Sequence, residues 1–164
     1  MSELGCRYAI LPPISDFRRN HMDINIYVNQ KKINPLYQKA IAEYVKRLSP
    51  YCTLSIVCVA GKIKCTSGKN TTNYCISGSD TISSEDYAAR INSLTSSGTS
   101  KINFYIGYDE SLTADMENFS LCSVQPSAEM TALLLSEQTY RAYTILNILL
   151  LWDMAPAFMD CQRF

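Results

Sequence analysis

The run from Leu133 to Leu146 constrains the fold of this 164-residue chain more than any other. Met130, Leu133, Leu134, Ile145 and Ile148 recur there at helical spacing, and Glu137 and Arg141 stand four apart with the acid first, the favourable order for a pair on one helix face. The pattern predicts a buried closing helix over Ala128 to about Leu150. Two charges inside an apolar helix need partners.

Upstream, the periodicities alternate between those of strands and helices. Ile24, Ile26 and Val28 alternate as in a strand over Asp23–Val28. A helix follows: Asn34 can cap it, Pro35 fits its first position, Leu36, Ala40, Ile41, Tyr44, Val45 and Leu48 form its stripe, and Ser49-Pro50 stops it. Leu54–Val59 is rich in β-branched residues and predicts a second strand, while Ala60–Thr72 is polar and reads as a loop crossover. Further elements are a strand over Asn73–Ser77, a helix capped by Ser83 and running to about Leu94, and a strand over Lys101–Gly107 with Ile102, Phe104 and Ile106 on one face. A short helix is expected over Thr113–Phe119 and a last strand over Leu121–Val124. This order predicts an α/β layered domain with a mostly parallel sheet.

Charge and cysteine usage narrow the function classes. The net charge is zero, but Lys31 to Lys69 holds eight Lys or Arg against Glu43 alone, and Asp80 to Glu117 holds seven Asp or Glu against Arg90 and Lys101. The basic half is either an anion-binding face or solvated surface. The seven cysteines form no Cys-x-x-Cys pair and His21 is the one histidine, which speaks for free thiols in a reducing, cytoplasmic compartment and against a metal site. The run Ala142–Trp152 falls short of the ~20 apolar residues of a membrane span. Phosphate-binding glycine loops, a dinucleotide fingerprint and a nucleophile elbow are absent from the sequence. Residues 1–21, with Pro12-Pro13 and Arg18-Arg19, read as an N-terminal extension, leaving residues 22–164 as a single domain.

Three blocks then carry a family resemblance. Glu137-Gln138-Thr139-Tyr140-Arg141-Ala142, followed by Tyr143-Thr144-Ile145, resembles the C-terminal helix of the ribosomal RNA large subunit methyltransferase H family, which is of the SPOUT class. Ala42-Glu43-Tyr44-Val45-Lys46-Arg47-Leu48 resembles the end of that family's first helix, and Ile106-Gly107 the start of its glycine-rich loop. The resemblance spans roughly Met22 to Asn147. It implies a SPOUT-type sheet with helices on both faces, a C-terminal trefoil knot, a homodimer paired through the closing helix, S-adenosylmethionine as cofactor, and methylation of N3 of a pseudouridine in 23S ribosomal RNA.

The same resemblance implies where the cofactor would lie. Cys75 and Ile76 match the family's Leu-Asp after the third strand. Gly107 keeps the first glycine of Ile-Gly-Gly-x-x-Gly, whose later glycines are replaced. Leu121, Cys122, Ser123, Val124, Gln125 and Pro126 match the start of Leu-Ser-x-x-Thr-x-Pro-His, in which Gln125 replaces the threonine and Ser127-Ala128 the Pro-His. Ala132 stands for an arginine, and Ile148–Phe164 replaces a Pro-Tyr-His tail. Tyr108 adds bulk where backbone approach is expected. Lys31, Lys32, Lys46, Arg47, Lys62, Lys64 and Lys69 are the candidate contacts to ribosomal RNA phosphates. The alternative to an active methyltransferase is a non-catalytic knotted dimer that binds RNA or protein. In either reading the apolar run Ile148–Trp152 is expected to pack in the dimer.

Overall fold

A computed structural model describes residues 21–159. The expected extension therefore falls, except for His21, outside the described residues. The elements are β1 (Met22–Val28), α1 (Pro35–Leu48), β2 (Cys52–Cys58), β3 (Thr71–Thr81), α2 (Ser84–Ser96), β4 (Lys101–Ile106), α3 (Glu110–Thr113), β5 (Glu117–Ser120) and α4 (Ala128–Met159). The strands form one sheet in the order β2-β1-β4-β3-β5, and every pairing is parallel. In a parallel sheet all strand ends with the same polarity share one edge, so the loops after β1, β2, β3, β4 and β5 gather at the C-terminal edge.

Local chemistry explains the element boundaries. Asn34 accepts from the Leu36 N–H at the start of α1 with Pro35 in the first turn, and Ser83 accepts from the Asp86 N–H at the start of α2. The polar run between β2 and β3 stays a loop, as its composition predicts.

Two expectations near β5 are corrected. The short helix is Glu110–Thr113 rather than Thr113–Phe119, because Asp109 starts it, its carbonyl accepting from the Leu112 N–H and the Thr113 hydroxyl. The last strand is Glu117–Ser120 rather than Leu121–Val124: Phe119 enters the core, and Leu121–Val124 turns, with the Ser120 hydroxyl donating to Cys122 O and the Cys122 thiol to Val124 O. β3 also runs on to Thr81 and α4 to Met159.

α4 lies over the middle of the sheet, between α1 and α2. Ile24, Ile26 and Val28 of β1 and Ile102, Phe104 and Ile106 of β4 are buried beneath these helices, and Tyr87 of α2 packs edge-on against Phe104 and Phe119. Arg90 holds α2 to the β5 edge, pairing with Glu117 at 3.1 Å and lying over the Tyr74 and Phe119 rings.

The inward face of α4 differs from the expected stripe. Ala132, Leu135, Ser136, Thr139, Ala142, Tyr143 and Leu146 are buried, whereas Met130 and Ile148 are exposed. Ser136 and Thr139 tolerate burial because their hydroxyls donate to the carbonyls one turn back, those of Ala132 and Leu135, and the Thr139 oxygen also meets the Tyr87 hydroxyl at 3.1 Å. Glu137 and Arg141 sit on the outer side and pair with each other at 2.7 Å.

The opposite sheet face is polar and carries the one-turn α3 and the β2–β3 crossover. Asn25 donates to Asn103, Asn103 to Asn73, and Asn73 to the Thr66 carbonyl of the crossover, each at 2.9–3.0 Å. Asn103 is fully buried, so this chain of amides satisfies a residue that would otherwise destabilise the sheet centre. Replacing Asn103 with Ala strands amide groups of Asn25 and Asn73 and is expected to lower unfolding free energy by about 2 kcal/mol, read by urea denaturation. A loss below about 0.5 kcal/mol would show the ladder to be dispensable.

Cys52, at the start of β2, gives a pH prediction. Burial raises its thiol from 9.0 to about 12, outweighing a hydrogen bond with Tyr143 that pulls the other way. The folded chain therefore keeps a proton that the unfolded chain has released, so the stabilisation is complete below pH 9.0 and declines as pH rises towards 12. Buried Tyr87 and Tyr143, also shifted upward by burial, add to the decline at higher pH. Urea midpoints are expected to fall from about pH 9 upward, and Cys52→Ala to delay the onset towards about pH 10, where tyrosines begin to titrate.

Candidate donor site at the C-terminal sheet edge

At the C-terminal edge Asn29, directly after β1, joins three strand ends. Its amide donates to the Gly107 carbonyl after β4 and accepts from the Gly61 N–H after β2, both at 2.8 Å, while its own N–H donates to Ile106 O. Gly107 sits at φ +76°, the left-handed region that favours glycine. Tyr108 then turns aside: its hydroxyl donates to Val59 O at 2.7 Å and its ring meets Tyr105 edge-on. Partial burial raises its phenol above the ordinary range.

Gly107 also lines a cavity of about 350 Å³. Ile76 and Ser77 of β3, Ile106 and Gly107 at the end of β4, Ser120 of β5, residues 121–126 after it, and Ala128, Thr131 and Leu134 of α4 line it. The fold thus brings together Ile76, Gly107, Leu121, Cys122, Ser123, Val124, Gln125 and Pro126, expected cofactor residues, from β3, the end of β4 and the turn after β5. Cys75 is placed otherwise. It pairs in register with Tyr105 and Asn118, on the sheet's other face, and lines a neighbouring cavity. The bulk expected of Tyr108 does not enter the first cavity, because the Val59 hydrogen bond holds the ring away from it. Ser77, Ser120, Thr131 and Leu134 belong to the lining without having been expected there; only the register of β3 against β5 and the inward turn of α4 reveal them.

The candidate RNA contacts divide between the two sheet edges. Lys31, Lys32 and Lys62 follow β1 and β2 and stand on the cavity's edge; Lys46, Arg47 and Lys69 lie near the starts of β2 and β3 at the other, and Lys64 lies in the crossover between. All seven are exposed, and neither ion pair among the described residues uses them. The Arg47 guanidinium rests over the Tyr140 ring at 5.8 Å.

Comparison with known proteins gives the family. Residues 70–148, which contain β3, β4, β5 and the first part of α4, match the family described as predicted SPOUT methyltransferase. The chain is 31% identical to ribosomal RNA large subunit methyltransferase H 1 of Thermoanaerobacter sp. (strain X514), an alignment covering 77% of this chain and 96% of that protein. It is 33% identical to ribosomal RNA large subunit methyltransferase H of Limosilactobacillus reuteri (strain DSM 20016), with the same coverage. The chain belongs to the methyltransferase H family of SPOUT proteins. SPOUT methyltransferases take their methyl group from S-adenosylmethionine. Among the described residues no group of three or more His, Cys, Asp or Glu is placed to hold a metal, and no helix is long and apolar enough to cross a membrane.

In this SPOUT chain the loop at Gly107 can be tested without ligand. A Cβ there would meet only the Asn29 Cβ at 3.7 Å, so the penalty of Gly107→Ala comes from the positive φ and is expected to be about 1 kcal/mol in urea unfolding. Gly107→Asn, which tolerates that backbone better, is expected to cost less. Equal losses in the two variants would contradict a conformational origin.

Proposed function

We propose that this protein is an S-adenosylmethionine-dependent methyltransferase acting on large-subunit ribosomal RNA, with the cavity at Gly107 as its donor site. The observation that carries this reading is the convergence of β3, the end of β4 with Gly107 and the turn after β5 on one cavity beside α4. S-adenosylmethionine supplies an activated methyl group on a sulfonium; the chain's part is to hold it and exclude water, proximity and orientation supplying the rate. Gly107 and the turn at 121–126 offer backbone groups to the donor, while Ile76, Leu121 and Leu134 offer apolar contact.

Lys31, Lys32 and Lys62, on the same edge, are suited to RNA phosphates, whose contacts weaken with salt. In this reading the protein works in the cytoplasm as a homodimer, with its chain end threaded as a trefoil knot. Support for the pairing comes from the outer side of α4, where Ile148 and Leu149 remain 49% and 46% exposed in one chain near half-buried Ile145 and Tyr140.

Calorimetric titration with S-adenosylmethionine is expected to give saturable binding of one molecule per chain, and sedimentation equilibrium twice the chain mass. Ala128→Trp places an indole in the cavity and is expected to weaken binding at least about tenfold without altering the circular dichroism spectrum. Absence of binding by the folded wild-type protein at ~1 mM ligand would refute the donor site.

A further inference from the structure

A second cavity, of about 460 Å³, stands back to back with the first. Ile76, Ser77, Gly107 and Gln125 line both, so the two share a wall at the ends of β3 and β4. The rest of its lining comes from the polar sheet face and the segment after α3: Cys75, Tyr108, Thr113, Ala114, Met116 and Asn118. Among these described residues none carries a charge. That composition suits an uncharged ligand and does not suit a phosphate, which calls for cationic donors.

The side chains suit a flat ring. Tyr108 is fixed by its hydrogen bond to Val59 O, and Met116 supplies a second soft apolar contact. Asn118 accepts from the Ser77 hydroxyl at 2.9 Å through its amide oxygen, which orients its NH₂ group as a donor; Gln125 adds a second, exposed amide. Two amides beside an aromatic ring are the means by which proteins hydrogen-bond and stack an unpaired nucleobase. Methyl transfer further requires the acceptor atom about 3–3.5 Å from the donor carbon, so an acceptor pocket must share a wall with the donor pocket.

We infer that this second cavity receives the acceptor nucleobase of the RNA, with Asn118 and Gln125 hydrogen-bonding its edge and Tyr108 contacting its ring. The inference rests on the donor-site reading. In the step it positions, an acceptor nitrogen bonds to the methyl carbon as the carbon–sulfur bond breaks. The bonding pair stays on sulfur, which becomes a neutral thioether, and the proton of the nitrogen leaves to water at the cavity mouth.

The test uses the full chain with two substitutions at residues that line the second cavity and not the first, Ala114→Trp and Asn118→Ala, both at exposed positions that a folded chain tolerates. Binding of S-adenosylmethionine is measured by calorimetry, and transfer of its labelled methyl group is measured on large-subunit ribosomal RNA that contains pseudouridine and has not been methylated. Both variants are expected to bind the donor within about twofold of wild type. Transfer kcat/KM is expected to fall at least about a hundredfold for Ala114→Trp, which fills the pocket, and roughly tenfold for Asn118→Ala, which removes one hydrogen bond to the base. Donor binding that weakens in parallel with transfer would make the second cavity part of the donor site and overturn the inference. Unchanged transfer in both variants would place the acceptor elsewhere, and a wild type that binds donor without methylating the pseudouridine-containing RNA would also overturn it. A wild type that binds no donor would instead remove the reading on which the inference depends.

Discussion

The Asn29 side chain is the interaction on which the site depends. By donating to Gly107 and accepting from Gly61 it joins the ends of β1, β2 and β4, and so fixes where the glycine loop leaves the sheet. The parallel pairing places all strand exits on one edge, and this amide sets the geometry of that edge. With Gly107 held, Tyr108 can reach the Val59 carbonyl, and the space between the loop and the turn at 121–126 remains open. The cavity proposed for the donor is thus a consequence of how strand ends are joined rather than of a single binding residue.

Much of the architecture was legible because strands and helices differ in period. β1 and β4 alternate cleanly, and Asn34, Pro35 and Ser83 mark helix starts by known capping chemistry. The inward face of α4 was not legible. The helix is apolar on several sides, so counting Leu and Ile could not separate the face that meets the sheet from the face that remains open. The inward face in fact contains Ser136 and Thr139, polar residues made compatible with burial by carbonyls of their own helix. The amide ladder through Asn103 was hidden for a related reason: asparagine ordinarily signals turns, and only strand register reveals three of them side by side.

The grouping of residues around the proposed donor cavity was foreseen only through the resemblance. Val124, Gln125 and Pro126 have no periodic or chemical signature of ligand binding, and backbone-lined sites leave little trace in side-chain identity. Residue-by-residue matching also could not tell that Cys75 and Ile76 face opposite sides of the sheet, since neighbours on a strand always do. Nor could it foresee that Tyr108 swings away from the loop it was expected to crowd. The cluster of basic residues along the sequence is likewise separated by the fold, because the β2–β3 crossover carries the chain from one sheet edge to the other.

We hold that the cavity between Gly107, whose position Asn29 fixes, and the turn after β5 is the methyl-donor site. A crystal structure of the protein soaked with S-adenosylhomocysteine addresses it most directly. Ligand density is expected between Gly107 and the turn at 121–126, with hydrogen bonds mainly to backbone groups. Ligand density outside that cavity, or none there at saturating concentration, would contradict it.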